Sequence, residues 1–293
     1  MERQISPDGL AYIDSGNQDR HLSLLCIHGW ACQASDYAYL FNELARANIQ
    51  YRTIAVDLPG HGESSSASCP DSRLAGMVGA VRALIQDLNL DNVVLAGHSM
   101  GMRVVLDLWH HEHTSPSSSS SPPRIKGLIL LDGSNYKLRK SLFAFDSGDA
   151  RSKELSREAK IAGMEAAFDR MFSPLTPEEF KRSTLAHLRR MDFEYSDRMR
   201  RSFIAFDYER MDVVLEALGR ADVPVLCLQA TSVDDENQRI ALMSGESSPW
   251  MRFLQEKVPT ARIHVVEHCM HFPHVDQPSE TAKRIEQFIS SIT

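Results

Sequence analysis

A serine framed by glycines is the first residue of this sequence whose setting points to a particular chemistry. Gly97-His98-Ser99-Met100-Gly101 follows the apolar run Asn92–Ala96 and begins a stretch with helical periodicity. A G-x-S-x-G segment between a strand and a helix puts the serine on a tight turn, with its hydroxyl above the sheet. The helix N-terminus places positive potential beside an oxyanion. The pattern predicts Ser99 as a nucleophile; the alternative is a glycine-rich turn with an incidental serine.

A histidine-rich segment near the end of the chain offers a general base. His268-Cys269-Met270-His271-Phe272-Pro273-His274 follows an apolar run, and a base must reach the serine from a loop at the same edge of the sheet. His271 is the best candidate by position, whereas His268 and His274 are interpreted as loop or surface residues. A metal site built from these histidines, or from His110, His111 and His113, lacks a carboxylate at useful spacing, so we expect no metal.

Two further turns are expected beside the turn that carries Ser99, which we call the elbow. His28-Gly29-Trp30 ends an earlier apolar run, and we expect the backbone N–H groups of Trp30 and Met100 to form an oxyanion hole. The segment Asp57–Ser64, DLPGHGES, has the glycines and proline of a tight turn. We interpret it as scaffold, with His61 in a structural role.

The acid that would orient His271 has more than one candidate. Asp132 ends the run GLILLD, on the same predicted edge as Ser99, where it can bind the far nitrogen of the imidazole and stabilise its charged form. Asp234 and Asp235 lie in the loop after the following strand, QATSVDD, but they come late in it. We favour Asp132, with Asp234 as the alternative and Asp235 behind it.

Apolar runs and helical periodicities alternate along most of the chain. This alternation predicts right-handed βαβ crossovers and an open, doubly wound, mostly parallel sheet covered on both faces. The predicted strands are Leu22–Ile27, Arg52–Val56, Asn92–Ala96, Lys126–Leu131, Val223–Leu228 and Ala261–Val266. The predicted helices are Tyr37–Ala47, Leu74–Leu88, Gly101–Trp109 and Glu280–Ile292. An antiparallel hairpin, turning at Asp8-Gly9, is expected at one edge of the sheet.

The alternation breaks once, over about ninety residues with no strand pattern. We therefore predict a core of residues 1–132 and 223–293, with a helical cap inserted at 133–222. A cap at the carboxyl ends of the strands would cover the place where open α/β sheets bind ligands. The Ser/Pro-rich segment 115–123 is expected to be a surface loop.

Composition excludes several classes of protein. The 293 residues are 43% hydrophobic and 24% charged, with a formal net charge of −7 and five scattered cysteines. There is no apolar run long enough to span a membrane, no basic stripe for nucleic acid and no phosphate-binding glycine motif. Because the cysteines are odd in number and lack paired spacing, we expect reduced thiols and a cytoplasmic protein.

Taken together, the HGW turn, DLPGHGES, GHSMG, the cap insertion and the closing HFPHVDQP resemble the α/β-hydrolase superfamily over essentially the whole chain. The acid at Asp132, the QAT segment and HGW followed by a tyrosine-containing helix resemble one branch, the cofactor-free 2,4-dioxygenases of 3-hydroxy-4-quinolones. That resemblance implies that His271 and Asp132 deprotonate the substrate, that Ser99 hydrogen-bonds it, and that O2 opens its ring with loss of carbon monoxide. Cys32 and Met100 stand where that branch has histidines, which favours a more apolar substrate.

Three functions follow from these residues. The preferred one is a serine hydrolase of a small ester, thioester, amide or C–C bond; the second is the cofactor-free dioxygenase; the third is a non-catalytic small-ligand binder. None of them needs a cofactor, and the expected partner is a small apolar or aromatic substrate. The residues predicted to line the pocket are His28, Trp30, Cys32, His98, Met171 and Phe172.

Overall fold

The computed structural model describes residues 2–16, 21–114, 124–133, 156–234 and 238–293. The Ser/Pro-rich segment 115–123, part of the predicted cap (134–155) and Asp235 lie outside the described residues.

An eight-stranded, mostly parallel sheet forms the centre of the protein, as predicted. Its strand order is β1-β2-β4-β3-β5-β6-β7-β10, with the first two strands antiparallel and the remaining six parallel to one another. A separate antiparallel pair is formed by β8 and β9. The strands are β1 Glu2–Ile5, β2 Ala11–Asp14, β3 Ser23–Ile27, β4 Arg52–Val56, β5 Asn92–His98, β6 Arg124–Leu131, β7 Val225–Gln229, β8 Thr231–Val233, β9 Arg239–Ala241 and β10 Arg262–Val265.

Helices cover both faces of this sheet. Along β5, Val93 and Leu95 join the apolar core on one face, whereas Val94 and Ala96 join the core on the other. This double burial is why the central strands are nearly continuous in apolar residues. The helices are α1 Ala38–Arg46, α2 Leu74–Asp87, α3 Gly101–Thr114, α4 Arg157–Asp169, α5 Glu178–Arg190, α6 Phe193–Glu209, α7 Met211–Arg220, α8 Pro249–Lys257, α9 Pro273–Asp276 and α10 Pro278–Ser290.

The predicted strands and helices are confirmed, with boundaries that move by a few residues. The largest change is in α3, which continues from its predicted end at Trp109 to Thr114, because its last turn is polar and carries no apolar period. The predicted edge hairpin is also confirmed: β1 pairs with β2, and Gly9 adopts a φ of +82° in the turn. A left-handed backbone of this kind favours glycine.

Helices α4 to α6, which we call the cap helices, lie between β6 and β7 in sequence. Phe168 of α4 and Phe180 of α5 pack in a small apolar cluster with Cys32 and Phe272 of the core. Helices α6 and α7 also reach the main core: Phe203 of α6 and Val214 and Leu215 of α7 are buried in it, and α7 packs beside α3. Both helices fall inside the predicted 133–222 insertion, so this segment packs against the main core as well as in the small apolar cluster.

A buried ion pair joins the core to the cap helices. Arg103, one turn into α3, binds Asp207 of α6 through two hydrogen bonds of 2.7 Å each, and both side chains are almost fully buried. Arg103 also approaches the backbone oxygen of Ser99, at 3.5 Å. The pair thus fixes α6 against the helix that carries the elbow serine.

We expect Asp207→Ala to lower the free energy of unfolding by about 3–5 kcal/mol, because it leaves the Arg103 charge buried without its carboxylate. Urea denaturation checks this. The matched control is Glu209→Ala, an exposed carboxylate on the same helix, with an expected change within about 0.5 kcal/mol. The double variant Arg103→Met/Asp207→Leu should recover most of the loss. If the double variant loses as much free energy of unfolding as Asp207→Ala, the effect comes from packing rather than from the unpaired charge.

No helix in the described ranges has the length and apolar character needed to span a membrane.

Candidate active site

Ser99 lies on a strained turn between β5 and α3. Its φ is +52°, a left-handed conformation that costs a non-glycine residue roughly 1–3 kcal/mol. The turn is held by the Ser99 N–H, which donates to the Leu131 oxygen of β6 at 3.0 Å. Space is tight there, since a β-carbon on Gly101 would lie 2.3 Å from the oxygen of Ile27. The motif therefore needs a glycine at that position for α3 to start against β3.

The structure brings Ser99, His271 and Asp132 into one hydrogen-bonded chain. The Nε2 atom of His271 lies 2.9 Å from the Ser99 Oγ, and its Nδ1 atom lies 2.6 Å from Asp132 Oδ2. His271 is 5% exposed and Asp132 is fully buried. The base is also fixed through its backbone, because its N–H donates to the Met171 oxygen at 3.1 Å. The geometry allows a proton to pass from the serine to the imidazole while the carboxylate holds the other ring nitrogen.

The Asp132 carboxylate receives five hydrogen bonds. Oδ1 accepts from the backbone N–H groups of Ala230 and Thr231, at 2.9 and 2.8 Å. Oδ2 accepts from the Thr231 hydroxyl at 2.7 Å, from Arg239 Nη1 at 3.2 Å and from His271. Burial by itself raises the pKa of Asp132, but the bond and charge of His271, the charge of Arg239 and the Thr231 bond outweigh it, so the pKa is below its ordinary value.

The alternative acid, Asp234, does not contact His271. Its Oδ1 accepts from the Gln238 N–H at 2.7 Å, and its own N–H donates to the Gln238 oxygen at 3.0 Å. Asp234 therefore closes the turn between β8 and β9. Asp235 is outside the described residues.

The backbone N–H groups of Trp30 and Met100, on the two turns predicted to form an oxyanion hole, have no hydrogen-bond acceptor among the described residues. The turns touch: a β-carbon on Gly29 would lie 3.1 Å from Ser99 Cβ. Met100 precedes the first residue of the fourteen-residue helix α3, so the helix dipole favours negative charge at this point.

This strand order agrees with what comparison with known proteins finds. The alpha/beta hydrolase family matches residues 24–284, which is most of the chain. The chain belongs to the α/β-hydrolase family. Solved structures agree on the fold: a bromoperoxidase from Bacillus anthracis has a TM-score of 0.72 at 17% identity, covering 99% of this chain and 100% of that one.

Two curated relatives match this α/β hydrolase over shorter stretches. An (E)-2-((N-methylformamido)methylene)succinate hydrolase of Acinetobacter baylyi is 32% identical over 38% of this chain and 37% of its own length. A 2-hydroxy-6-oxononadienedioate/2-hydroxy-6-oxononatrienedioate hydrolase of Paraburkholderia phymatum is 32% identical over 42% of this chain and 39% of its own length. The match thus spans less than two fifths of either relative.

The His271 imidazole of this α/β hydrolase is uncharged at neutral pH. Burial, followed by the positive charge of Arg239, lowers the pKa of His271 to about 4, and the bond to Asp132 acts in the opposite direction. The lone pair on Nε2 is therefore available to accept a proton from Ser99.

His28 and Cys32, both predicted to line the pocket, are buried in the scaffold. His28 uses both ring nitrogens: Nε2 accepts from the Leu58 N–H at 2.9 Å, so Nδ1 is the donor to the Gly29 oxygen at 2.7 Å. Burial lowers the pKa of His28 to about 4. Its ring therefore ties the HGW turn to the DLPGHGES turn, and this placement does not support a pocket position. Cys32 is buried in the apolar cluster with Phe168.

His98 lies behind the base. Its Nε2 donates to the backbone oxygen of His271 at 2.7 Å, and the two ring centroids are 4.7 Å apart. His274, on the other side, stacks on Tyr37 at 4.8 Å. Both histidines are buried, so they support the loop that carries the base; His274 is not at the surface as predicted, because the loop turns inward into α9.

A cluster of aromatic side chains lies beside His271. Trp30 lies 5.8 Å from Phe168, Phe168 lies 6.4 Å from Phe172, and Phe172 stacks on Phe272 at 5.6 Å, all measured between ring centroids. Of the predicted pocket residues, Trp30, Met171 and Phe172 are only partly buried here. We call these five aromatic and thioether side chains beside the base, Trp30, Phe168, Met171, Phe172 and Phe272, the aromatic wall.

Sequence reasoning missed three contributors to this site. Thr231 and Arg239 hold the acid, and Ser196 of α6 accepts a 2.7 Å hydrogen bond from the Trp30 indole. The QAT segment contributes to the family resemblance, but nothing in its sequence indicates that its threonine binds Asp132. Arg239 belongs to β9, which is too short to give a strand pattern. Within the described residues, no three His, Cys, Asp or Glu side chains form a group able to hold a metal ion.

Proposed function

We propose that this α/β hydrolase is a serine hydrolase of small esters, with Ser99 as nucleophile, His271 as general base and Asp132 as the acid that orients it. One observation carries the proposal: the unbroken chain from Ser99 Oγ to His271 and Asp132, with two acceptor-free backbone N–H groups beside the serine. Thioesters, amides and C–C bonds next to a carbonyl would use the same groups.

The proposed reaction proceeds through an acyl-enzyme. Ser99 Oγ attacks the carbonyl carbon while His271 Nε2 takes its proton, and the N–H groups of Trp30 and Met100 stabilise the oxyanion. His271 then gives that proton to the leaving alcohol as the carbon–oxygen bond breaks. In the second half, His271 takes a proton from water as the water oxygen attacks the acyl carbon. His271 then gives that proton to Ser99 Oγ as the acyl–serine bond breaks, which releases the acid and restores the serine hydroxyl.

The aromatic wall supports an apolar acyl group. Phe272 follows the base directly in sequence, with its ring centroid 5.3 Å from that of His271, and Trp30 follows the glycine that touches the elbow. The Arg200 guanidinium lies over the face of Trp30, 5.5 Å from the ring centroid, but its charge is paired with Asp197 at 3.2 Å. We therefore propose an aliphatic or aromatic acyl chain rather than a charged one.

The cofactor-free dioxygenase is a second candidate, favoured by one observation. Asp132, whose carboxylate binds His271, follows β6, and Thr231 of the QAT segment binds the same carboxylate. An acid after this strand together with a QAT segment is the combination that resembles the quinolone 2,4-dioxygenases. In that function His271 deprotonates the substrate hydroxyl, and Ser99 only hydrogen-bonds the substrate.

Hydrolysis of p-nitrophenyl acetate, butyrate, hexanoate and octanoate, with and without oxygen, separates the two functions. We expect turnover of the longer chains at equal rates in both conditions. A 2-alkyl-3-hydroxy-4-quinolone should give neither oxygen uptake nor carbon monoxide. Oxygen uptake matched by carbon monoxide, with no ester turned over, would replace the hydrolase proposal with the dioxygenase.

A further inference from the structure

The residue that invites an inference is Arg239, an arginine bound to the proposed triad acid. It lies at the start of β9, which pairs with β8 such that Arg239 is opposite Val233. This hairpin follows β7 directly, and β7 is the neighbour of β6, the strand that Asp132 follows. The Arg239 side chain is only 11% exposed, so the hairpin places a positive charge inside the protein.

The hydrogen bonds around Arg239 have a fixed direction. Its Nη1 lies 2.6 Å from the Thr231 Oγ and 3.2 Å from Asp132 Oδ2. A guanidinium only donates, so the Thr231 oxygen accepts from Arg239 and uses its one proton to donate to Asp132. Arg239 therefore binds the carboxylate both directly and through Thr231, and each path ends on the oxygen that His271 binds.

The charges at this position balance only while the base is neutral. With Asp132 ionised and Arg239 protonated, the buried group carries no net charge, which is the arrangement that burial favours. When His271 takes the serine proton, a second positive charge appears on the same carboxylate oxygen. Arg239 thus opposes charging of the base in the resting site, while it supports the geometry of the acid.

Other groups also face His271. From β5, His98 lies 4.7 Å away between ring centroids, and from α9 comes His274, itself 4.7 Å from His98. Burial, and then nearby histidines, lower the pKa of both rings, that of His274 to about 3. Neither is therefore charged near neutral pH.

Two titratable groups on the same loop complete the surroundings. The Cys269 thiol donates to the Val266 oxygen, and burial raises its pKa well above neutral. The Asp276 carboxylate binds the Thr176 hydroxyl at 2.6 Å and the Met270 N–H at 3.1 Å, and burial raises its pKa. Among the groups named around His271, Asp132 binds its Nδ1 directly, and Arg239 is the positive charge that binds the same carboxylate oxygen.

We propose that Arg239 is a positioning residue of this active site: it locks the Asp132 carboxylate, directly and through Thr231, and keeps the resting His271 imidazole uncharged. The proposal rests on the proposed function in so far as His271 is the base. It adds a basic group to the conventional serine, histidine and acid, supplied by a short hairpin outside the main sheet.

The sign of the pH effect follows from the role of the base. His271 works unprotonated, so activity is full well above its pKa of about 4 and is lost as the pH falls through that value. Removing the Arg239 charge favours the imidazolium and raises the pKa of His271. The acid limb of the kcat/KM profile should therefore move to higher pH, by about one pH unit.

The test compares Arg239→Met, which removes the charge, with Arg239→Lys, which keeps it. The kcat/KM of ester hydrolysis is measured from about pH 3 to about pH 8, a range that covers both the pKa of about 4 in the parent protein and the pKa of free histidine. In parallel, the His271 imidazole is titrated by NMR in histidine-labelled protein, its signal assigned by its loss in His271→Gln. Arg252→Met, at an exposed arginine of α8, is the matched control.

We expect Arg239→Met to raise both the acid limb and the NMR midpoint, and Arg239→Lys and Arg252→Met to leave both in place. An unmoved midpoint in Arg239→Met overturns the proposal, and so does an equal shift in Arg239→Lys, because that would assign the effect to packing. If Arg239→Met fails to fold, Arg239→Gln serves in its place. The NMR titration needs no substrate, so failure of the hydrolase proposal and failure of the Arg239 proposal are distinguishable.

Discussion

Replacing Ser99 by alanine is expected to lower the kcat of ester hydrolysis by roughly 10⁴- to 10⁶-fold, the range for loss of a triad nucleophile. The reason is geometric: Ser99 Oγ is the atom within 2.9 Å of the base, on a turn whose left-handed backbone aims it away from the sheet. KM should change little, because the aromatic wall and the N–H groups of Trp30 and Met100 remain. Steady-state kinetics of Ser99→Ala on p-nitrophenyl hexanoate measure this effect.

Ser279→Ala is the matched control, since Ser279 is an exposed serine of α10 whose hydroxyl binds Glu43 on the surface. It should keep the kcat of the parent protein. Melting temperatures of both variants check that the fold is retained. If Ser99→Ala keeps more than about a tenth of the parent kcat, the serine is not the nucleophile. Persistent activity on a hydroxyquinolone, lost in His271→Ala, would then favour the dioxygenase.

The fold was predictable because its central strands are buried on both faces. Runs such as Val93–Ala96 are apolar without interruption, and only a sheet covered by two helical layers explains several of them in alternation with helices. The end of α3 was not predictable in the same way, since His110 to Thr114 are polar and helical only because they continue an established helix.

The site could be predicted for those residues of suitable chemistry that directly follow a predicted strand. Ser99 and Asp132 both follow strands of one parallel sheet, so they had to meet at one edge; this made the pairing with His271 a sound expectation. Arg239 was not predictable, because its neighbour Asp132 is 107 residues away in sequence and the connecting hairpin has no pattern. The contacts of His28 were not predictable for a related reason: without coordinates, a histidine that binds two backbone groups cannot be distinguished from one that faces a pocket.

Replacing Asp132 by asparagine is expected to lower kcat/KM at neutral pH by about 10⁴-fold, the effect of that change on a triad acid. Asparagine has one acceptor oxygen, and the two N–H donors of Ala230 and Thr231 hold it at the Oδ1 position. Its amide nitrogen then faces Nδ1 of His271 and donates to it. This places the imidazole proton on Nε2, where it blocks proton transfer from Ser99.

Asp234→Asn is the matched control, because Asp234 is the competing acid and lies one strand away in the β8–β9 turn. We expect it to keep kcat/KM within about threefold, since it touches neither His271 nor Asp132. Asp132→Asn also removes the negative partner of buried Arg239, so it should lower the melting temperature, and kinetics are compared well below that temperature. Loss of activity in Asp234→Asn, with Asp132→Asn near normal, would transfer the acid role to Asp234 and leave Asp132 as a structural partner of Arg239.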